Sequence, residues 1–325
     1  MKVLKRLVIV LLCIVGIIGL FLLVVNLIPT PKVESTPFTK VDRTLISAHR
    51  GGGELNPENT EKAFDYVINE TSYVDIIEMD VKLTKDNVPV IIHDEAVNAY
   101  ALDNDIAPVL LKEHNYDELI EYNLGYNFVD RNGNRPYKDL SIAEAKAAGL
   151  TLMKLDDFLT KYEKKREFLL YLEIKEKGEP SLVLAEMILE MFANDEYTWW
   201  KERTMVISSS DAALDLIASR DNSIYIGAVG FKIAGSIATS LFLVDSLFKP
   251  NFHCVQTYLT NTIGPLTIDC ATKRFVNAAH RHNQSVCYWG INEEADMQHL
   301  IEIGADTITT DAPDKLAQLL GILVE

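Results

Sequence analysis

A (β/α)8 barrel carried on one N-terminal membrane helix is the architecture expected from three features of the 325-residue chain. An uncharged apolar run opens it. Eight short β-branched-rich runs then recur along the remainder, and most are separated by segments with helical spacing of apolar residues. A doubly wound open sheet is the alternative built from the same units.

The opening run extends from Leu7 to Ile28, about 22 residues, which as a helix spans about 33 Å and matches a hydrocarbon core. A cleaved signal peptide is the competing reading. The run exceeds the usual apolar length of such peptides, and no small-x-small cleavage site precedes Pro29, so an uncleaved anchor over 1–28 is expected. Lys2, Lys5 and Arg6 precede it and place the N-terminus in the cytoplasm, with the acidic globular part extracellular on a single-pass anchor. Pro29, Pro31 and Pro37 mark a stiff tether over 29–43.

The barrel is expected over 44–325. Its strands fall near Leu45–Ala48, Asp75–Val81, Leu169–Ile174, Thr204–Ser208, Ile224–Ala228, His253–Gln256, Ser285–Trp289 and Thr307–Thr309. Helical spacing appears at Thr60–Asn69, Leu182–Phe192, Ala212–Ser219, Ala271–His282 and Ala295–Glu302. A further run, Val88–His93, follows the second strand too closely for a crossover helix. It predicts an antiparallel hairpin, and a turn centred between Asp86 and Asn87 sets Asp80 opposite His93. Residues at about 95–155 are mostly polar, with short helical pieces near Asp117–Tyr122 and Ile142–Ala148, and read as an insertion over the barrel mouth.

With 48% hydrophobic and 24% charged residues the chain buries a core, which excludes disorder. Its net charge is -16, and the anchor contributes three positive charges, leaving about -19 on the rest. Such a body repels nucleic acid, so a phosphate substrate needs a metal or a local basic cluster. Cys13 lies in the span. Cys254, Cys270 and Cys287 lack metal-ligand spacing and read as buried core residues.

Chemistry concentrates at predicted strand ends. His49 and Arg50 close the first strand and are followed by Gly51, Gly52 and Gly53, at the face where such barrels place catalytic groups. Arg50 offers a donor fork to a phosphate. Glu78 and Asp80 lie two apart on the second strand and so share a face. Inside an apolar run they call for a cation, and a hard divalent ion is the simplest choice; a solvated face is the alternative. Glu173 can complete a three-carboxylate site, with Lys175 on the same face as a positive charge for substrate; an ordinary surface ion pair is the bland reading. Trp289 closes a later strand. Asp311 is equally well read as a helix cap or as a site residue. His114, His253, His280, His282 and His299 fall outside these motifs and read as surface or packing residues.

Taken in order, the segments resemble the glycerophosphodiester phosphodiesterase family. The shared motifs are His49-Arg50-Gly51, Pro57-Glu58-Asn59-Thr60, Glu78-Met79-Asp80-Val81-Lys82-Leu83-Thr84, Val88-Pro89-Val90 with His93-Asp94, Leu172-Glu173-Ile174-Lys175, Trp289-Gly290-Ile291-Asn292 and Thr310-Asp311-Ala312-Pro313. The resemblance implies a TIM barrel of the phosphatidylinositol phospholipase C type, with Glu78, Asp80 and Glu173 as ligands of Ca²⁺ or Mg²⁺ and His49 and His93 as the acid-base pair. It further implies that Arg50 and Lys175 hold phosphate, that Trp289 lines the alcohol side, and that Glu58 and Asn59 position the first loop.

The implied reaction is hydrolysis of a glycerophosphodiester to glycerol 3-phosphate and an alcohol. Departures from the family pattern at Glu95–Tyr100 and Ser208–Ser210 bear on the alcohol rather than the reaction. Relatives with this arrangement include phospholipases, so cleavage of a lysophospholipid or phospholipid at the membrane surface is a second reading. A catalytically silent, membrane-tethered binding module is a third, but the residues such a module would lose are all present.

Overall fold

Eight parallel strands close on themselves, because the apolar, β-branched runs are buried on both faces and need partners on both edges. The chain is described by a computed structural model over residues 2–39, 42–102, 106–264 and 266–323. Its strands are β1 (Leu45–Ala48), β2 (Ile76–Leu83), β3 (Pro89–Ile91), β4 (Met153–Lys154), β5 (Leu169–Ile174), β6 (Thr204–Ser208), β7 (Tyr225–Ala228), β8 (Cys254–Thr257), β9 (Thr260–Ile263), β10 (Leu266–Asp269), β11 (Ser285–Trp289) and β12 (Thr307–Thr310). The parallel order β1-β2-β5-β6-β7-β8-β11-β12 returns to β1 through the pairs Leu45 with Thr307 and Ser47 with Ile76. Every expected barrel strand is present.

Helices cover the outside, among them Leu155–Tyr162, Glu179–Ala193, Asp211–Arg220, Ala234–Leu241, Lys273–Arg281, Glu294–Ile303 and Pro313–Leu319. Several start where the sequence supplies a cap. Thr60, Ser210 and Thr272 each accept the backbone N–H three residues on, and Pro180 opens its helix in the first turn. The apolar layer between helices and strands joins Met79, Val81, Leu172, Ile188, Val206, Leu214 and Leu300. The alternate strand residues, including Ile76, Tyr171, Met205, Cys254 and Cys287, fill the barrel interior.

The β2–β3 hairpin departs from expectation by one residue. Val81 pairs with Ile91, and Ile92 N–H donates to the Asp80 carbonyl at 2.9 Å, so Asp80 faces Ile92 rather than His93. The cause is the turn. Thr84 N–H bonds the Val88 carbonyl across a three-residue loop, Lys85-Asp86-Asn87, with Asn87 left-handed at φ 57°, which centres the turn on Asp86. His93 therefore stands just past the end of β3. Beyond it, Val90, Ile92, Val97, Leu111, Leu119, Leu124 and Leu152 form a small separate apolar cluster.

The N-terminal helix Lys2–Leu27 includes a span, Val3–Leu27, that is long enough to cross a membrane and holds an 18-residue stretch of mean hydropathy 3.5; a signal sequence has the same position and character. Its end meets the barrel. Ser246 Oγ donates to the Val25 carbonyl at 2.7 Å, and Asn26 Nδ2 donates to the Leu243 carbonyl at 3.1 Å. The chain then follows the barrel floor, where Val33 N–H bonds the His282 carbonyl and Asn283 Nδ2 bonds the Val33 carbonyl. Phe38 is wholly buried among Leu45, Ile76, Leu169 and Tyr225, which open their strands, and stacks on Tyr171 with ring centres 5.2 Å apart. Residues 29–38 are thus bound to the N-terminal end of the barrel.

Candidate active site

At the opposite end, β1 stops at Ala48 and the chain tightens into a turn in which Arg50 is left-handed at φ 53°. A non-glycine residue there is strained, and the surrounding contacts account for its persistence. Arg50 N–H donates to Glu78 Oε2 at 2.8 Å, and its carbonyl accepts from the N–H of Asn59, itself left-handed at φ 56°, at 2.8 Å. Gly51 has φ +83°, and a side chain on it would meet Ala63 Cβ at 2.9 Å, so only glycine fits this turn.

Alternation along β2 and β5 then sets Glu78, Asp80, Glu173 and Lys175 on the interior face. Each of Glu78, Asp80 and Glu173 offers an oxygen within 4.8 Å of the others. Asp80 has no exposure and Glu78 only 5%. Asn59 Nδ2 donates to Asp80 Oδ2 at 2.9 Å. Arg50 Nε also lies 3.0 Å from that oxygen, but off the hydrogen-bond axis. Lys175 Nζ is 2.8 Å from Glu173 Oε1 and 3.2 Å from Asp80 Oδ1, an oxygen that is buried without a hydrogen bond.

Three carboxylates this close cannot all remain charged on two cations alone. Burial, and next the Asp80 charge, push Glu78 up to about 8. Burial also raises Glu173, with Asp80 adding to it against the opposing charge of Lys175. Asp80 goes the other way: burial alone would raise it, but Lys175 and Arg50 outweigh burial and hold it below the usual carboxylate range. The unbonded Asp80 Oδ1 and the raised pKa of Glu78 are what an all-oxygen site shows when its counter-charge is short by a dication, so the three residues fit a divalent ion with hard-ligand preference.

Two imidazoles flank this cluster, each tied through Nδ1 to a carboxylate. His49 Nδ1 is 2.7 Å from Asp311 Oδ1, and His93 Nδ1 is 2.6 Å from Asp94 Oδ1. An ionised acid requires the proton on Nδ1, which leaves Nε2 of each ring for proton transfer. Burial works against charging His49, yet the Asp311 hydrogen bond and the Glu78 and Asp311 charges outweigh it and raise its pKa. His93 is near enough for its charge to help hold Asp80 low. Arg50 is further oriented by Glu58, whose Oε1 accepts from its guanidinium at 2.8 Å. An open cavity of about 280 Å³ separates Arg50 and Glu58 from Tyr100, Asn127 and Phe128.

Trp289 stands at the end of β11 with its ring 4.0 Å from that of Tyr258, and its indole N–H is buried without a partner. The Tyr258 hydroxyl feels the charges of Lys175 and Glu173, so the aromatic pair borders the same mouth. All ten residues singled out from the sequence thus gather at this end of the barrel.

Others join them. Asp311 does not cap the helix that follows, whose N-cap position is Ala312; its carboxylate serves His49 and accepts from Asn292 Nδ2 at 2.7 Å. Its place at the C-terminal end of a barrel strand was the available signal. Asn292 and Asp94 lay inside motifs whose other members drew attention, whereas Tyr258 sits in an exposed loop with no motif. The remaining histidines serve packing: His280 pairs with Asp306, His299 bonds the Ala271 carbonyl, and His282 bonds the Pro31 carbonyl.

The profile of the Glycerophosphoryl diester phosphodiesterase family matches residues 49–315, which includes every residue of this site. A glycerophosphodiester phosphodiesterase of Bacillus altitudinis is 25% identical over 280 residues, covering 85% of this chain and 98% of its own. A human protein named lysophospholipase D GDPD3 is 23% identical, with 89% of each chain covered. Among solved structures, an Oleispira antarctica phosphodiesterase bound to the product sn-glycerol-3-phosphate superposes with a TM-score of 0.63 at 18% identity, covering 86% of this chain and 97% of its own.

Proposed function

The chain belongs to the glycerophosphoryl diester phosphodiesterase family, and on that premise we propose that it hydrolyses water-soluble glycerophosphodiesters to glycerol 3-phosphate and the free alcohol. The carrying observation is the pairing of two carboxylate-locked imidazoles with one three-carboxylate cluster. A diester resists attack because its phosphate is anionic and its leaving alkoxide is poor. Glu78, Asp80 and Glu173 would hold Ca²⁺ or Mg²⁺, which supplies positive charge for the nonbridging oxygens. Arg50 and Lys175 turn from their charge pairing with Asp80 toward those same oxygens and orient the phosphorus. One of His49 and His93 takes the proton of the attacking hydroxyl, and the other protonates the departing alkoxide. One P–O bond forms as one breaks, and water supplies the added hydrogen and hydroxyl. The attacking hydroxyl is that of water, or the glycerol 2-hydroxyl through a cyclic phosphate that water then opens. Trp289 and Tyr258 flank the alcohol.

We read the N-terminal helix as an uncleaved anchor with the barrel outside the cell. The anchor meets the barrel at the N-terminal ends of its strands, so the mouth opens on the side away from the lipid. This supports a soluble diester over a lipid still seated in the same bilayer. The test is release of glycerol 3-phosphate from glycerophosphocholine and glycerophosphoethanolamine by the full chain in detergent, with chelator, with Ca²⁺ and with Mg²⁺. Metal-dependent release lost in His49→Ala is expected. Cleavage of micellar lysophospholipid but neither soluble diester would move the function to a lysophospholipase D, the activity named for the human relative; inertness to all three would leave a binding module.

A further inference from the structure

Beyond Asp80 on the same face of β2 comes Lys82. At about 3.3 Å rise per residue it stands about 6.6 Å further toward the mouth. It is only 6% exposed, and among the described residues no hydrogen bond or ion pair engages its ammonium. A lysine is seldom so buried unless paired. Lys82 lines a pocket of about 190 Å³ together with Lys112, Lys175, Lys177, Glu95 and Glu176. Glu176 is already engaged, its Oε1 accepting from Leu83 N–H at 2.9 Å. Four lysines thus converge on one small pocket in a chain of net charge -16. Lys175 belongs both to this pocket and to the carboxylate cluster, so the two are continuous.

We propose that this pocket is a subsite for a second anionic group on the leaving alcohol, so that the enzyme prefers glycerophosphodiesters whose alcohol itself carries a phosphate. The inference rests on the hydrolase reading above. A phosphate there would face the ammonium of Lys82 at its base and those of Lys112 and Lys177, both exposed, at its rim. A three-carbon alcohol bridges the step from the scissile phosphate beside Asp80 to this second anion.

The probes are glycerophosphoglycerol and the same diester carrying a terminal phosphate on one glycerol, with the full chain in detergent and a divalent cation. Wild type is expected to show a kcat/KM at least roughly tenfold higher for the phosphorylated diester, with the preference shrinking as salt rises. Lys82→Met is expected to bring the ratio near one, and Lys177→Met, on the exposed rim, to lower it without risk to folding. A ratio near one in wild type, or a ratio unmoved by both substitutions, overturns the subsite. Calorimetric binding of the two diesters separates the two readings: tighter binding of the phosphorylated one, lost in Lys82→Met, without turnover of either retains the subsite and sinks the hydrolase. Equal binding and no turnover sinks both.

Discussion

The two ends of this barrel are built from the same eight strands and solve opposite problems. At the floor, Phe38 closes the interior against Tyr171 and Tyr225 within an apolar cluster, and the chain from Pro31 to Val33 is hydrogen-bonded to His282 and Asn283. At the mouth, only a few residues further along the strands, burial and next the charge of Asp80 push Glu78 to about 8, and Arg50 and Asn59 are held left-handed. Stability is stored at one end and set aside at the other. The mouth tolerates opposed charges because the floor and the outer apolar layer do not depend on it.

The largest expected effect breaks the mouth alone. His49→Ala should lower kcat by about 10²–10⁴-fold, the range of a general acid or base, while the thermal unfolding midpoint stays near that of wild type. Glu78→Gln keeps an acceptor for Arg50 N–H, so it should also lose activity while unfolding no earlier. The rise in midpoint that a divalent ion gives wild type should vanish. Earlier unfolding of both variants in the absence of metal would mean that the mouth carries stability after all. Next comes the converse, Phe38→Ala. Truncating a fully buried aromatic costs about 3–5 kcal/mol of unfolding free energy, readable in a denaturant melt, while kcat of the folded protein stays within about twofold.

A third effect sharpens the mouth itself. Asp311 raises the His49 pKa by accepting its Nδ1 proton. In Asp311→Asn that pKa falls, so the limb of the kcat–pH profile belonging to His49 should move to lower pH. If His49 acts as the acid, activity is lost above its pKa and the alkaline limb shifts; if it acts as the base, activity is lost below it and the acid limb shifts. A profile in which neither limb moves would remove His49 from proton transfer.

What the sequence makes legible follows from the range of the forces involved. The eight strands, the apolar span and the acid pair on β2 rest on local period and residue type, and all are found where expected. The hairpin register differs by one residue because a left-handed Asn87 suits both a two-residue and a three-residue turn, and only the Thr84 N–H bond to the Val88 carbonyl selects the longer loop. The role of Asp311 was ambiguous because a carboxylate before Ala312-Pro313 suits a cap as well as a histidine 262 positions away. The burial of Phe38 had no local signal at all, since a single aromatic in a proline-rich tether becomes core only when the strands it plugs have closed.

The smallest expected effect tests where chemistry at the mouth ends and recognition begins. Trp289 presents its ring to Tyr258 while its N–H is buried without an acceptor, an arrangement that costs about 1–3 kcal/mol unless a partner arrives. On the proposed reaction the alcohol of the substrate passes this side, and its hydroxyls are acceptors. Trp289→Phe keeps an aromatic face against Tyr258 and deletes the donor, so the free protein should be as stable as wild type or slightly more so. KM for a hydroxylated alcohol such as glycerol should rise a few-fold, with kcat unchanged. A fall in kcat at constant KM would assign the aromatic pair to the reacting phosphate instead. It would extend the strained, charge-bearing part of the mouth from β1, β2 and β5 across to β11, leaving recognition of the alcohol to the opposite wall, where Tyr100, Asn127 and Phe128 face Arg50.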